Sequence, residues 1–462
     1  MAAKPNIVVL GMLDTKFNEI KFLRDQVEAA GGNPIVMEMS LGHETNWDWI
    51  DIGLQKVLDT IGVQKEEIFK YPRASAIDTV GRAGALKIVQ LYEEGKCEGV
   101  ISWAGSVGTT TVTYAMRALP FGVPKIMLTD MASSDVSMWL GNKDIYIVNP
   151  TAELGINVIT RKQIANAAAG VVGMALAGDG GAELARPLMA ITAYGTTTPP
   201  VNRMSAHFEA KGWDTITIHQ TGAPGATMED LIRSGDIKAL IDLTTGELTN
   251  NMYSSVYGNP KTWTGERCTA ASDVGIPQIV CPGGLDQSAY GAMDTLTEEY
   301  RNDFKTGKRR PYRDTGLPYI HNEGVTIMWP TIEEIEELSD YFVEKLANTT
   351  GPTAFVNPLQ GWSAYDQREE IATRDRGWSE GNGDGPQWEP DEGDPRWSKR
   401  AVVMWKRMSE KMNRDNPNLD LIAADMNIMD VEFSDLLERI MDDMLAGTWK
   451  KGAYRDVPGV VG

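Results

Sequence analysis

"GKCEGVISWAG", residues 95–105, and "GDIKALIDLTT", residues 235–245, carry one plan. Each opens on glycine after a helix-like stretch, steps three residues, and runs as an apolar strand into a small polar loop. The correspondence extends both ways. Downstream, "FGVPKIML" (121–128) matches "VGIPQIVC" (274–281), with Gly122-Val123-Pro124 against Gly275-Ile276-Pro277. Upstream, "NIVVLGMLDTK" (6–16) and "LMAITAYGTTTP" (188–199) are apolar strands that break at Gly11 and Gly195, each followed by a helical pattern and another strand. Continuous apolar runs alternating with helices predict a parallel sheet buried on both faces. Right-handed crossovers then give a doubly wound layer. The expected fold is therefore α/β: two doubly wound parallel-sheet domains related by internal duplication, residues 1–185 and 186–462. The stretch "ALAGDGGAELARP" (175–187), rich in Gly and Ala and closed by Pro, reads as the linker.

Composition narrows the function classes. The 462 residues are 42% hydrophobic and 23% charged, ordinary for a globular chain, and the apolar runs are too short and broken for a membrane span. The start "MAAKPNIVVLGMLDTK" enters a strand within six residues and lacks the basic and long apolar regions of a secretory signal. A net charge of −20 disfavours nucleic acid and anionic membranes as partners, because phosphate neutralisation needs clustered Lys and Arg. Three widely spaced cysteines, Cys97, Cys268 and Cys281, argue against a disulfide framework or a zinc site and fit a reducing compartment. A cytoplasmic location is the expectation. Among four histidines no pair is spaced i, i+4, which removes a helical zinc motif.

Ligands of open parallel sheets sit beyond the carboxyl ends of the strands. Every Gly/Thr-rich loop here follows a strand, and two such edges facing one another predict a ligand cleft between the domains. In "WAGSVGTTT" (103–111), Gly105, Ser106, Gly108, Thr109 and Thr110 form either a capped strand-to-helix turn or a cradle of amides for an anion. No Walker lysine and no GxGxxG accompany it. "GMLDTK" offers Gly11, Asp14, Thr15 and Lys16, the last either a solvated lysine or a point charge for phosphate. The second half supplies Gly195 and Thr197, then Thr221, Gly222 and Gly225 in "HQTGAPGATMEDL". Thr244 and Thr245 follow in "DLTTGELTN", and Gly283 and Gly284 in "CPGGLDQ". Asp242, Glu247 and Asp286 are carboxylates at strand ends that would either hold Mg²⁺ beside phosphates or cap helices. His219 and His321 also lie at strand ends, as satisfied polar groups or as acid–base catalysts; apposed, they would indicate chemistry beyond binding.

The set "LGMLDTK", "SWAGSVGTTTVTYAMRALPFGVPKIM", "YGTTTP", "HQTGAPGATMEDLI", "DLTTGEL", "PGGLDQ" and "HNEGVTIM" resembles the Tm-1-like ATP-binding family (UPF0261) over about 1–366 and again near 420–446. The resemblance implies a two-domain, often dimeric α/β protein that binds ATP or a related nucleotide. Five positions depart from the family pattern: Val107 in place of a glycine, Pro224 in "TGAPG", Trp329 in place of an arginine, Asn427 in place of a histidine, and Met429 in place of an asparagine.

"GWSEGNGDGPQWEPDEGDPRW" (377–397) is not a phosphate loop, since between Trp378 and Pro395 it holds six acids and no Lys or Arg. An acidic, tryptophan-anchored insertion near 370–400 is expected, with "KRAVVMWKRMSEKM" as the helix after it. Three functions stay open. The first is nucleotide binding on the Gly/Thr loops, with Lys16 assisting. The second is a hydrolase or lyase acting on a small anionic or carbonyl metabolite through His219 or His321. The third is a non-catalytic dimeric interaction protein.

Overall fold

The computed structural model describes residues 4–43, 45–152, 154–178, 186–221, 223–253, 265–312, 315–368 and 385–462. Two compact units divide the chain, Met1–Glu183 and Leu184–Gly462. Residues 179–185 of the expected linker lie outside the described residues.

The first unit carries β1 (Asn6–Gly11), β2 (Asn33–Glu38), β3 (Gly99–Ala104), β4 (Lys125–Thr129) and β5 (Tyr146–Val148) in one sheet. Its order is β2-β1-β3-β4-β5, and every pair is parallel. The continuous apolar runs have the physical cause expected for such a sheet. Val8, Leu10 and Val100 enter one buried layer with Val112 and Met116 of the helix Ser106–Ala118. Ile7, Val9, Ile101 and Trp103 alternate into another, with Ile164, Ala168 and Val171 of the helix Val158–Ala177.

The second unit carries β6 (Leu188–Ala193), β7 (Asp214–His219), β8 (Ile237–Thr244) and β9 (Gln278–Gly283). Then come β10 (Ser288–Tyr290), β11 (Tyr319–Asn322), β12 (Val325–Met328), β13 (Thr353–Pro358) and β14 (Leu419–Ala424). Six of these form a parallel sheet ordered β7-β6-β8-β9-β13-β14. Counted from each unit's first strand, both sheets therefore run 2-1-3-4-5, and the second adds a sixth strand. That shared order is the structural counterpart of the sequence repeat. In such an order the strand sequence reverses between the first and third strands, and ligands sit in the crevice outside their carboxyl ends.

Among the described residues the small antiparallel sheet β10-β12-β11 has no counterpart in the first unit. No helix among the described residues is long and apolar enough to cross a membrane. Of the expected acidic insertion, residues 369–384, including Trp378, lie outside the described residues. Trp388 is buried, and the Trp397 indole donates to Asp425 at 2.6 Å, so both act as anchors. The helix after the insertion is Lys399–Lys411, yet its Arg400 is buried rather than solvated.

Candidate functional site

The second unit alone builds a cavity of about 340 Å³ outside the ends of β6 and β8. Tyr194, Gly195 and Thr196 reach it from the loop after β6, His219 and Thr221 from the end of β7, and Asn250 from the helix Glu247–Met252. Gln287 and Ala289 flank the start of β10. His321, Val325 and Ile327 come from the β11–β12 hairpin, and Tyr365 from the loop after β13. The cavity thus joins His219 and His321, which are 102 positions apart in the chain and belong to different sheets.

Each histidine has a hydroxyl on Nδ1. His219 Nδ1 lies 3.1 Å from Thr221 Oγ1, and His321 Nδ1 lies 3.1 Å from Tyr365 Oη. Burial lowers the His219 pKa below its ordinary value. Around them the polar side chains are tied to one another. Asn250 Nδ2 donates to Tyr194 Oη at 3.0 Å and Asn250 Oδ1 accepts from the Ala289 amide at 3.0 Å. Gln287 Nε2 donates to Thr196 Oγ1 at 2.9 Å. The Tyr194 ring stands 5.8 Å from the His219 ring. Behind the other wall, Tyr319 packs edge-on to Tyr365 at 5.4 Å, and Tyr312 packs on Tyr319 at 5.1 Å.

The glycine loops serve this frame more than an open cradle. A Cβ on Gly246 would overlap the Tyr194 ring, and one on Gly284, whose φ is +74°, would sit 2.7 Å from Tyr194 Cδ2. Close approach of backbone to ring is what those positions require. A Cβ on Gly225 would sit 2.9 Å from Arg267 Nε and Glu247 Oε1, and one on Gly283 would overlap the Leu243 carbonyl. Thr197 and Thr244 hydroxyls bond each other at 2.7 Å, and Thr245 Oγ1 donates to the Cys281 carbonyl at 2.9 Å. Gly222 lies outside the described residues.

Asp242 and Glu247 are spent on a residue that sequence reasoning missed. Arg267 Nη2 donates to both Asp242 oxygens at 3.0 and 2.9 Å and Nη1 donates to Glu229 at 2.9 Å; its Nε donates to Glu247. All four side chains are buried. Three carboxylates face one guanidinium, and burial, with Asp242 nearby, pushes the Glu247 carboxyl up to about 7. Glu229 also accepts the amides of Cys268 and Ala270 at 2.7 and 2.6 Å. Asp286 lies elsewhere, buried, accepting from Ser363 Oγ at 2.7 Å, and burial pushes it up to about 6. Asp242 and Glu247 therefore share Arg267, and Asp286 stands apart from them on Ser363. Among the described residues no group of three or more His, Cys, Asp or Glu is arranged to hold a metal ion. No simple spacing links Arg267 to its partners, so charge complementarity was the one signal in the sequence.

In the first unit the loops after β1 and β3 flank the corresponding strand-order reversal. Gly11 ends β1, and Lys16 is buried, its Nζ 5.3 Å from the Trp103 ring centroid, so it is not a solvated lysine. Asp14 Oδ2 accepts the amides of Leu41 and Gly42 at 3.0 and 2.7 Å, and Thr15 Oγ1 donates to the Met12 carbonyl at 3.4 Å. Gly105 precedes the helix opened by Ser106. Gly108 packs on Ala104 and Met12, and Thr109 Oγ1 donates to Thr129 Oγ1 at 2.8 Å. Thr110 Oγ1 donates to the Ser106 carbonyl and accepts from the Trp139 indole at 3.0 Å. These hydroxyls hold the turn together.

The departures from the family pattern find structural partners. Pro224 falls in the first turn of the helix Ala223–Arg233, where a missing N–H costs little. The Arg400 guanidinium stacks on the Trp329 ring at 3.5 Å and that of Arg310 at 4.7 Å. Asn427 Nδ2 donates to the carbonyls of Gln360 and Asp366 at 2.7 and 3.0 Å. Val107 sits in the first turn of the helix Ser106–Ala118. Cys268 and Cys281 are buried, and burial holds both thiols far from ionisation.

Fold and site together define a class: a two-unit α/β protein with one strand order used twice and a histidine-lined cavity at the reversal point of the second unit. Residues 5–179 match the Uncharacterised protein family (UPF0261) N-terminal domain and residues 186–379 the C-terminal domain of the same family. The chain belongs to the UPF0261 family. It is 36% identical over 367 residues to a UPF0261 protein of Clostridium tetani (79% of this chain, 86% of that one). It is 31% identical over 364 residues to a UPF0261 protein of Rhizobium meliloti (78% and 85%). It is also similar to the ToMV resistance protein Tm-1 of Solanum lycopersicum, 28% identical over 386 residues, covering 78% of this chain and 48% of the tomato protein.

Proposed function

We propose that the second unit's cavity binds a small anionic or carbonyl metabolite and that His219 and His321 move protons on it. The observation that carries this is their convergence in one cavity from different sheets. His219, its pKa lowered by burial, is neutral at neutral pH and has a lone pair to offer as a general base. With Tyr365 donating to His321 Nδ1, the remaining proton of a neutral His321 sits on Nε2 as a donor to the ligand. One ring accepts a proton and the other supplies one, the division of labour a hydrolase or lyase needs.

A nucleotide is the second reading, favoured by position. Gly195 and Thr196 line the cavity in the turn just before the helix Thr198–Ala210, whose dipole favours phosphate although Pro199 and Pro200 supply no amide. The equivalent place in the first unit holds Lys16 and the helix Ser106–Ala118. Mg²⁺ would enter with the phosphates, bound mostly by them and by water.

The test is a titration of the full chain with 2-oxo acids, other small carboxylates, inorganic phosphate and ATP with Mg²⁺, following the ring ¹⁵N signals of both histidines. A ligand of this site moves both signals, and His219→Ala and His321→Ala each weaken it about tenfold, the loss of one hydrogen bond. If ATP alone among the probes moves them, the nucleotide reading holds; if every bound probe leaves both unmoved, the cavity is not the site.

A further inference from the structure

We infer that the ligand of this cavity is a small aromatic carboxylate, an inference that rests on the cavity being the binding site. The lining is two-sided. Ala289, Val325, Ile327 and the Tyr365 ring form an apolar wall, stiffened from behind by Tyr319 and Tyr312. The rest of the lining is polar, but much of it is already engaged. Asn250 holds Tyr194 and Ala289, and Gln287 holds Thr196. With each Nδ1 on a hydroxyl, the groups that can orient a ligand are the Nε2 atoms of the two imidazoles and the helix start at Gly195–Thr198.

Those features select a shape and a charge. A flat ring removes the apolar wall from water and gains about 25 cal/mol per Å² of apolar surface buried. A single carboxylate meets the Nε2–H of His321 and the positive end of the helix Thr198–Ala210. Among the described lining residues none is Asp, Glu, Lys or Arg. A carboxylate meets no like charge there, and the lack of a fixed cation weighs more against a polyphosphate, with its several charges, than against a single carboxylate. The volume of about 340 Å³ is at the small end of ligand pockets, the size for one ring and its substituents.

The experiment compares benzoate, acetate, inorganic phosphate and ATP with Mg²⁺ on the full chain, by calorimetry and by the ring ¹⁵N signals of His219 and His321. Benzoate is expected to move both signals and to bind about tenfold or more tighter than acetate. Val325→Asn, or Ile327→Thr should the first variant not fold, is expected to erase that preference while acetate still moves both rings. Equal affinities for benzoate and acetate, or rings moved by phosphate or ATP and not by benzoate, would overturn the aromatic class and leave the cavity as the site. Rings unmoved by every probe would overturn both.

Discussion

Tyr365 Oη lies 3.1 Å from Nδ1 of His321, and the two residues come from elements 44 positions apart. The proposed proton transfer needs the tyrosine to be the donor of this bond. With the tyrosine as donor, His321 keeps its proton on Nε2. Tyr365→Phe removes the donor and retains the ring that packs on Tyr319. The expected outcome is a loss of about 0.5–1.5 kcal/mol in stability, with the His321 ¹⁵N shifts moving toward a mixture of tautomers. Unchanged shifts would show that Tyr365 does not set the proton position.

His219 predicts a pH dependence. Its folded pKa lies below the unfolded value of about 6.5, so the unfolded chain binds the proton first as pH falls. Stability from this residue is complete above about pH 6.5 and falls away as pH drops through the folded value. His219→Gln should flatten that acid limb in a series of melting curves. Once a turnover assay is in hand, the same variant should lower the rate by about 10²–10⁴, the usual worth of a general base.

The Arg267 network predicts opposite effects for its two kinds of member. Arg267→Met leaves Glu229, Asp242 and Glu247 buried without their cation and should cost about 3–5 kcal/mol in chemical denaturation. Glu247 is different. Its folded pKa is raised to about 7, so the folded state holds a proton that the unfolded state has released, and stability from this group is lost as pH rises from about 4.3 through 7. Glu247→Gln keeps a neutral hydrogen-bonding group and should gain stability relative to the parent at pH 8 more than at pH 5. A parallel shift at both values would contradict the raised pKa.

Gly246→Ala should act at a distance from its own loop. The added methyl overlaps the Tyr194 ring and the Gly284 carbonyl, so the ring must shift within the cavity. A cost of about 1–3 kcal/mol is expected, with the His219 ring resonance moving as Tyr194 is displaced.

The duplicated sheet was legible because buried parallel strands leave uninterrupted apolar runs, and "GVISWA" and "IKALIDLT" are such runs. The β10-β12-β11 sheet was not: strands of three or four residues show no period, and "SAY" carries no pattern. His219 and His321 stood out as polar residues at strand ends, but Tyr365 in "GWSAYDQ" reaches them through a loop no local rule places. Gly284, read as an opening for phosphate, lies against the Tyr194 ring. Asp242 and Glu247 looked available because their cation, Arg267, follows 25 and 20 positions later with no periodic relation.

The most direct measurement is a crystal structure of the full chain with whichever of benzoate, inorganic phosphate or ATP binds in titration. The expected result is a ligand within hydrogen-bond distance of both His219 and His321. A ligand seated on Gly105–Thr110 and Lys16, with neither histidine in contact with it, would contradict the assignment of the site to the second unit.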